Sequence, residues 1–291
     1  MDFKKWAEEN TIHRIVAGSR LYGTATELSD IDIRGVCLMP AEALLGLQRF
    51  DQYQDTKSDT VIYGLTKFFN LCLGANPNIL DILCAPPGRW LIESDQWVRI
   101  YARQDIFLSQ KVRHTFSGYA YSQLARIKRH REWLVNPPSH QPTLEEFGGT
   151  LESDTKGGQK KVFPHLDAEN KYNSAARHWK QYQTWLKERN PARAELERLY
   201  GYDTKHAAHL GRLLIKAIRI LKDGRYSPVL EGEWELEFVL NILHGKMEYE
   251  ELVRWAADME RRVSSVESVL PRTPNFNEAE KLLMQINKEA L

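Results

Sequence analysis

Apolar and polar positions along the chain change period about a third of the way in, and this change divides the reading. Up to about residue 109 short apolar runs alternate with turn residues. Lys4–Glu9 reads as a short helix and His13–Ala17, rich in β-branched residues, as a strand running into Gly18-Ser19. Asp30–Met39 reads as a longer strand, polar at its start and wholly apolar through Val36, Cys37, Leu38 and Met39. Residues 40–58 carry turn formers with one short helix near Ala41–Leu45, and Asp59–Tyr63 alternates as a strand with Asp59, Val61 and Tyr63 on one face. A helix over Leu65–Leu73 follows, then Asn-Pro-Asn as the cap of the short helix ILDILC, and a helical stretch over Gln96–Leu108.

From Gln110 the period becomes that of long helices. Val112, Phe116, Ala120, Leu124, Ile127 and Leu134 keep helical spacing, with Arg126, Lys128, Arg129 and Arg131 on the other face. Residues 136–167 are rich in Pro, Gly and Ser and read as one long loop; helices over Asp167–Arg189 and Pro191–Leu199 follow. In GYDTKHAAHLGRLLIKAIRIL, Ala207, Leu210, Leu214, Ala217 and Leu221 share one side of a helix, and Lys205, His209, Arg212 and Lys216 the opposite side. Three more helices are expected over Glu231–His244, Tyr249–Val266 and Asn277–Glu289. The pattern gives an α+β fold: a mixed sheet flanked by helices over 1–109, then a mostly helical domain over 110–291 with the loop at 136–167. Its 291 residues suit two units at about 100 to 200 residues per domain.

The stretch GSRLYGTATELSDIDIRG carries the chemistry. Asp30 and Asp32 flank a single isoleucine, so on a strand the two carboxylates project together while Ile31 and Ile33 pack behind them. Paired carboxylates repel unless a cation sits between them, and an oxygen-only cluster suits Mg²⁺, which prefers a few carboxylates, water and phosphates. Alone, such a pair is an ordinary polar strand start. Preceded by a strand and a Gly-Ser turn whose backbone can approach a phosphate, it points to phosphoryl or nucleotidyl transfer.

Composition narrows the partners. Net charge is +1, so the whole chain is no general polyanion binder and any nucleic-acid site is a patch; the basic stripe Lys205–Lys216 is one candidate for a phosphate. Cys37, Cys72 and Cys84 show no metal-type spacing and read as buried thiols of a reducing cytoplasm. The charged start and the interrupted apolar segments lead us to expect a cytoplasmic protein without a membrane span.

GSRLYGTATELSDIDIRG, DTVIYGLTKFF with NPNILDIL, and YGYDTKHAAHLGRLL together resemble the DNA polymerase β superfamily of nucleotidyltransferases. More narrowly they resemble the bacterial and phage family of RNA-repair-associated nucleotidyltransferases found beside RNA ligases. The resemblance implies that Gly18 and Ser19 hold the outer phosphates of a nucleoside triphosphate and that Asp30 and Asp32 hold two Mg²⁺ or Mn²⁺ ions. A third carboxylate is implied, Asp59 first, with Asp51 and Asp55 as alternatives, and Lys205, His209 and Arg212 contact the triphosphate or base. The implied reaction is metal-dependent transfer of a nucleoside monophosphate from an NTP to a hydroxyl, first an RNA 3′ end. A protein or small-molecule acceptor, or a silent nucleotide- or RNA-binding regulator, are the alternatives.

Overall fold

The computed structural model describes residues 3–27, 29–153, 158–230 and 232–291. In chain order the elements are α1 (Phe3–Glu9), β1 (Thr11–Val16), α2 (Gly18–Tyr22), β2 (Ile33–Cys37), α3 (Ala41–Leu44), β3 (Gln52–Asp55), β4 (Thr60–Gly64), α4 (Leu65–Leu73), α5 (Pro77–Leu83), β5 (Trp90–Ile92) and α6 (Asp95–Tyr101). After a 3-10 turn at Gln104–Phe107 come α7 (Lys111–Val135), β6 (Thr150–Ser153), β7 (Gln159–Val162), α8 (Leu166–Glu188), α9 (Pro191–Tyr200), α10 (Thr204–Asp223), α11 (Glu233–Leu243), α12 (Tyr249–Ser265) and α13 (Phe276–Ala290). The class is α+β, as the pattern predicts.

Two compact units divide the chain: Met1–Leu124 with His206–Leu291, and Ala125–Lys205. The division falls within α7 and α10, and the change of apolar period lies ahead of it, at 109. A carboxy-terminal segment thus joins the sheet-bearing unit, which a linear reading of helical content does not register.

In the first unit a five-stranded sheet runs in the order β3-β4-β2-β1-β5. β2 and β4 are parallel, and β1 with β2, β1 with β5 and β3 with β4 are antiparallel. Ile15 of β1, Val36 of β2 and Ile62 of β4 are fully buried, and Leu65, Phe68, Phe69 and Cys72 of α4 are buried as well. α4 therefore keeps one apolar face in the core, as its spacing requires. His13 belongs to this core: its ring stacks on Trp97 at 3.7 Å, and burial pushes its imidazole down to about 3. The three cysteines are free and buried.

Four differences from the pattern bear on the site. The acidic segment is not strand: β2 begins at Ile33, Asp30–Asp32 precede it, and Ile31 is 55% exposed instead of packed behind the carboxylates. Residues 40–58 contain the edge strand β3, which QYQD does not announce by apolar alternation. The Gln96–Leu108 stretch is α6 plus a separate 3-10 turn. α10 buries not only the apolar side but also Arg212 and Lys216, because helix neighbours enclose it and supply carboxylates.

In the second unit the expected loop at 136–167 holds the antiparallel hairpin β6–β7, with every β6 residue exposed. Trp133 is buried beside the half-buried Tyr182 and Trp185, and Glu197 is buried between His130 and Arg189. Among the described residues no helix is long and apolar enough to cross a membrane.

Candidate active site

β1 delivers the chain to Ala17, whose N–H donates to the Asp32 carbonyl at 2.8 Å, and α2 starts at the next residue. Gly18 has φ +64°, and a Cβ built on it would lie 2.1 Å from Asp32 Oδ2. Both the backbone angle and the approach of the carboxylate therefore require glycine. Arg20 of α2 fastens the acidic segment from the other side: its Nη2 donates to the Ser29 carbonyl at 2.8 Å.

Asp32 is brought to Asp59. Burial first, and then the neighbouring Asp59 carboxylate, raises the Asp32 carboxyl to about 6. Asp59 is held below the usual range, first by the neighbouring Asp32 and then by Arg34. The two carboxylates thus titrate as a coupled pair, with Asp32 the member that ionises at the higher pH. Asp59 has φ +45°, its carbonyl accepts from the Ile33 N–H at 3.0 Å, and Arg34 Nη2 reaches its carboxylate at 3.0 Å and that of Asp32 at 3.6 Å. Arg34, two residues after Asp32 within β2, is the residue that motif reading passed over.

The remaining acids separate clearly. Asp30 is exposed and acts on Asp32 through its charge. Asp51 pairs with Lys67 at 3.7 Å, and Asp55 accepts from the Lys57 N–H and the Ser58 hydroxyl in its own turn. Of the three candidates for a third carboxylate, only Asp59 meets Asp32. The Asp32–Asp59 pair, with Asp30 beside it, is an oxygen-only donor set of the kind Mg²⁺ takes. Among the described residues no three His, Cys, Asp or Glu side chains converge into a ready metal cage.

A cavity of about 400 Å³ opens beside the pair, with Gly18, Asp32 and Arg34 on its wall and Tyr22 and Asp81 at its base. Asp81 is buried and accepts hydrogen bonds from Tyr22 (2.8 Å), from Arg212 (3.1 Å) and from Tyr226. The Arg212 guanidinium lies over the Tyr22 ring, 3.8 Å from its centroid, and its Nη2 is 3.3 Å from His209 Nδ1. Arg212 thus stands behind Tyr22, and neither it nor His209 is on the cavity wall. Lys216 is likewise internal, bonded to the Val229 carbonyl at 2.6 Å and paired with Glu235 at 3.4 Å. Lys205 is exposed in the first turn of α10 and belongs to the other compact unit. An acid inside the apolar run ILDIL was the available sign of Asp81, since a buried carboxylate demands partners.

The site is thus a strand, a glycine turn into a short helix and acids just ahead of the neighbouring parallel strands β2 and β4 of a mixed sheet. Residues 1–138 match the family model described as RlaP, the RNA repair pathway DNA polymerase beta family, which bears out the resemblance read from the amino-terminal motifs. The YDTKHAAHLGRLL motif lies beyond that match. An uncharacterized 38.9 kDa protein from the nrdC-mobD intergenic region of Enterobacteria phage T4 is 28% identical over 130 residues, 40% of this chain. The matched region spans 38% of the phage protein's length. No solved structure matches.

Proposed function

We propose that the protein is a metal-dependent nucleotidyltransferase that moves a nucleoside monophosphate from an NTP to a hydroxyl, with an RNA 3′ end as acceptor. The observation that carries this reading is the approach of Gly18 to Asp32 on one cavity wall, with Asp59 as the neighbouring carboxylate of Asp32, which puts a turn open to phosphate beside an acid pair. The RNA acceptor is supported by the match to an RNA repair family.

Asp32 and Asp59, with Asp30 beside them, would hold the divalent ions, Mg²⁺ or Mn²⁺. Bound there, such ions polarise the triphosphate and lower the pKa of the acceptor hydroxyl. The backbone of Gly18 and Ser19 orients the outer phosphates, since no side chain intervenes at Gly18. Arg34, which reaches both carboxylates, would be the cation on the chain available to the departing pyrophosphate. The bond formed joins the acceptor oxygen to the α-phosphorus, the bond broken is that from the α-phosphorus to the oxygen bridging to the β-phosphate, pyrophosphate leaves, and the hydroxyl proton passes to solvent. His209 and Arg212 support this wall from behind through Tyr22 and Asp81. Transfer of label from α-labelled NTP to RNA, lost in Asp32→Asn, tests the reading.

A further inference from the structure

Beyond the acids, the same cavity has a second wall made of neutral hydrogen-bonding groups. Gln52 and Gln54 are on β3, Tyr63 and Val61 on β4, and Asn78 in the first turn of α5. The register explains why they meet. Gln54 pairs with Val61 and Val61 with Arg34, while Gln52 pairs with Tyr63. Directly paired residues share a face, so Gln54, Val61 and Arg34 form one row across three strands and Gln52 and Tyr63 form the next. The rows are about 7 Å apart along the strand.

The three amide side chains make no hydrogen bond to another described residue. Asn76 provides the contrast a few residues away: its oxygen caps α5 by accepting from the Asn78 and Ile79 N–H groups, and its nitrogen donates to Tyr119 at 2.9 Å. Each amide offers a donor and an acceptor together. A nucleobase edge presents the same mixed pattern and is read by bidentate amide contacts, and its flat ring packs on aromatic and aliphatic side chains such as Tyr63, Val61 and Ile82. Of the charged residues that line the cavity, Asp32 lies against Gly18, Arg34 shares the row of Gln54 and Val61, and Asp81 is already bonded to Tyr22, Arg212 and Tyr226, so the amides are the neutral groups left to meet a ligand. At about 400 Å³ the cavity is near the lower end of small-molecule sites, room for one nucleoside and not for a strand.

We propose that Gln52, Gln54, Tyr63 and Asn78 form a nucleobase subsite that selects which base lies next to the Asp32–Asp59 pair. The proposal rests on the nucleotidyltransferase reading of that pair. A nucleobase could arrive on the NTP or on the terminal nucleotide of the acceptor, and the two sources are separated by experiment.

The test uses the full chain and equilibrium binding in both arms. In one, calorimetry with Mg²⁺ measures the dissociation constants of the four α,β-methylene NTP analogues. In the other, fluorescence anisotropy measures those of four short RNAs differing only in the 3′ nucleotide. The wild type should favour one base at least about tenfold in one arm, the discrimination expected of a bidentate base contact. The double variant Q52A/Q54A, exposed on an edge strand and checked for an unchanged melting temperature, should flatten that preference to within about twofold and leave the other arm unchanged. The arm that flattens names the source. A wild type without preference in either arm, or a double variant that keeps the wild-type preference, overturns the subsite. Neither arm requires transfer, so failure of the nucleotidyltransferase reading shows separately, as wild-type protein that binds but transfers no label.

Discussion

Gly18 stands so close to Asp32 that a Cβ on the glycine would lie 2.1 Å from Asp32 Oδ2, and at φ +64° the glycine is already where L side chains are strained. Gly18→Ala must therefore push the carboxylate aside. A misplacement on the order of 1 Å costs about 100-fold in rate, while the backbone strain costs about 1–2 kcal/mol. We expect transfer to fall by about that factor in a protein that still melts cooperatively; activity near wild type would separate Gly18 from the site.

Asp32→Asn should stabilise the metal-free protein at pH 8. The folded carboxyl is raised to about 6, above its ordinary 3.8. A raised acid pKa means that the ionised form is penalised by folding: the penalty is complete above pH 6 and vanishes below about pH 4. Asparagine is neutral at every pH and removes the penalty. Partial exposure and the compensating fall at Asp59 reduce the gain to about 1 kcal/mol. Melts in EDTA at pH 8 and pH 4 check this; a gain of equal size at both pH values contradicts it.

Asp59→Asn separates turn geometry from chemistry. Asparagine tolerates positive φ nearly as well as any non-glycine residue, so the backbone at φ +45° should survive and stability should change by less than about 1 kcal/mol. Transfer should be lost. A variant with full transfer would reduce Asp59 to a turn residue.

Arg212→Ala should damage stability before affinity. Removing the guanidinium leaves Asp81 buried with only Tyr22 and Tyr226 as partners, and breaking a buried pair costs about 3–5 kcal/mol. Urea unfolding measures the loss. Unchanged stability with weakened NTP binding would move Arg212 from support to direct contact.

How much of this was legible depends on sequence distance. β1, Gly18 and the acids lie within one short stretch, and α4, α5 and α10 announce themselves by apolar period, so local reading found them. β3 and β5 were missed because QYQD and WLI are short edge segments whose strand state comes from the neighbour they pair with. The partner of Arg212 is 131 residues away, and no local pattern states that α10 will be enclosed and its cations neutralised. Arg34 was in plain view but, two residues after an acid, it reads as an ordinary charged strand residue until the turn at Asp59 folds back onto it.

The most direct test of the account incubates the full chain with each α-labelled NTP, Mg²⁺ and RNA bearing a free 3′ hydroxyl, beside Asp32→Asn and an EDTA control. The account predicts label on RNA with the wild type, and none with the variant or with EDTA. Label carried by the Asp32→Asn protein as efficiently as by the wild type, or label appearing only on protein, would contradict it.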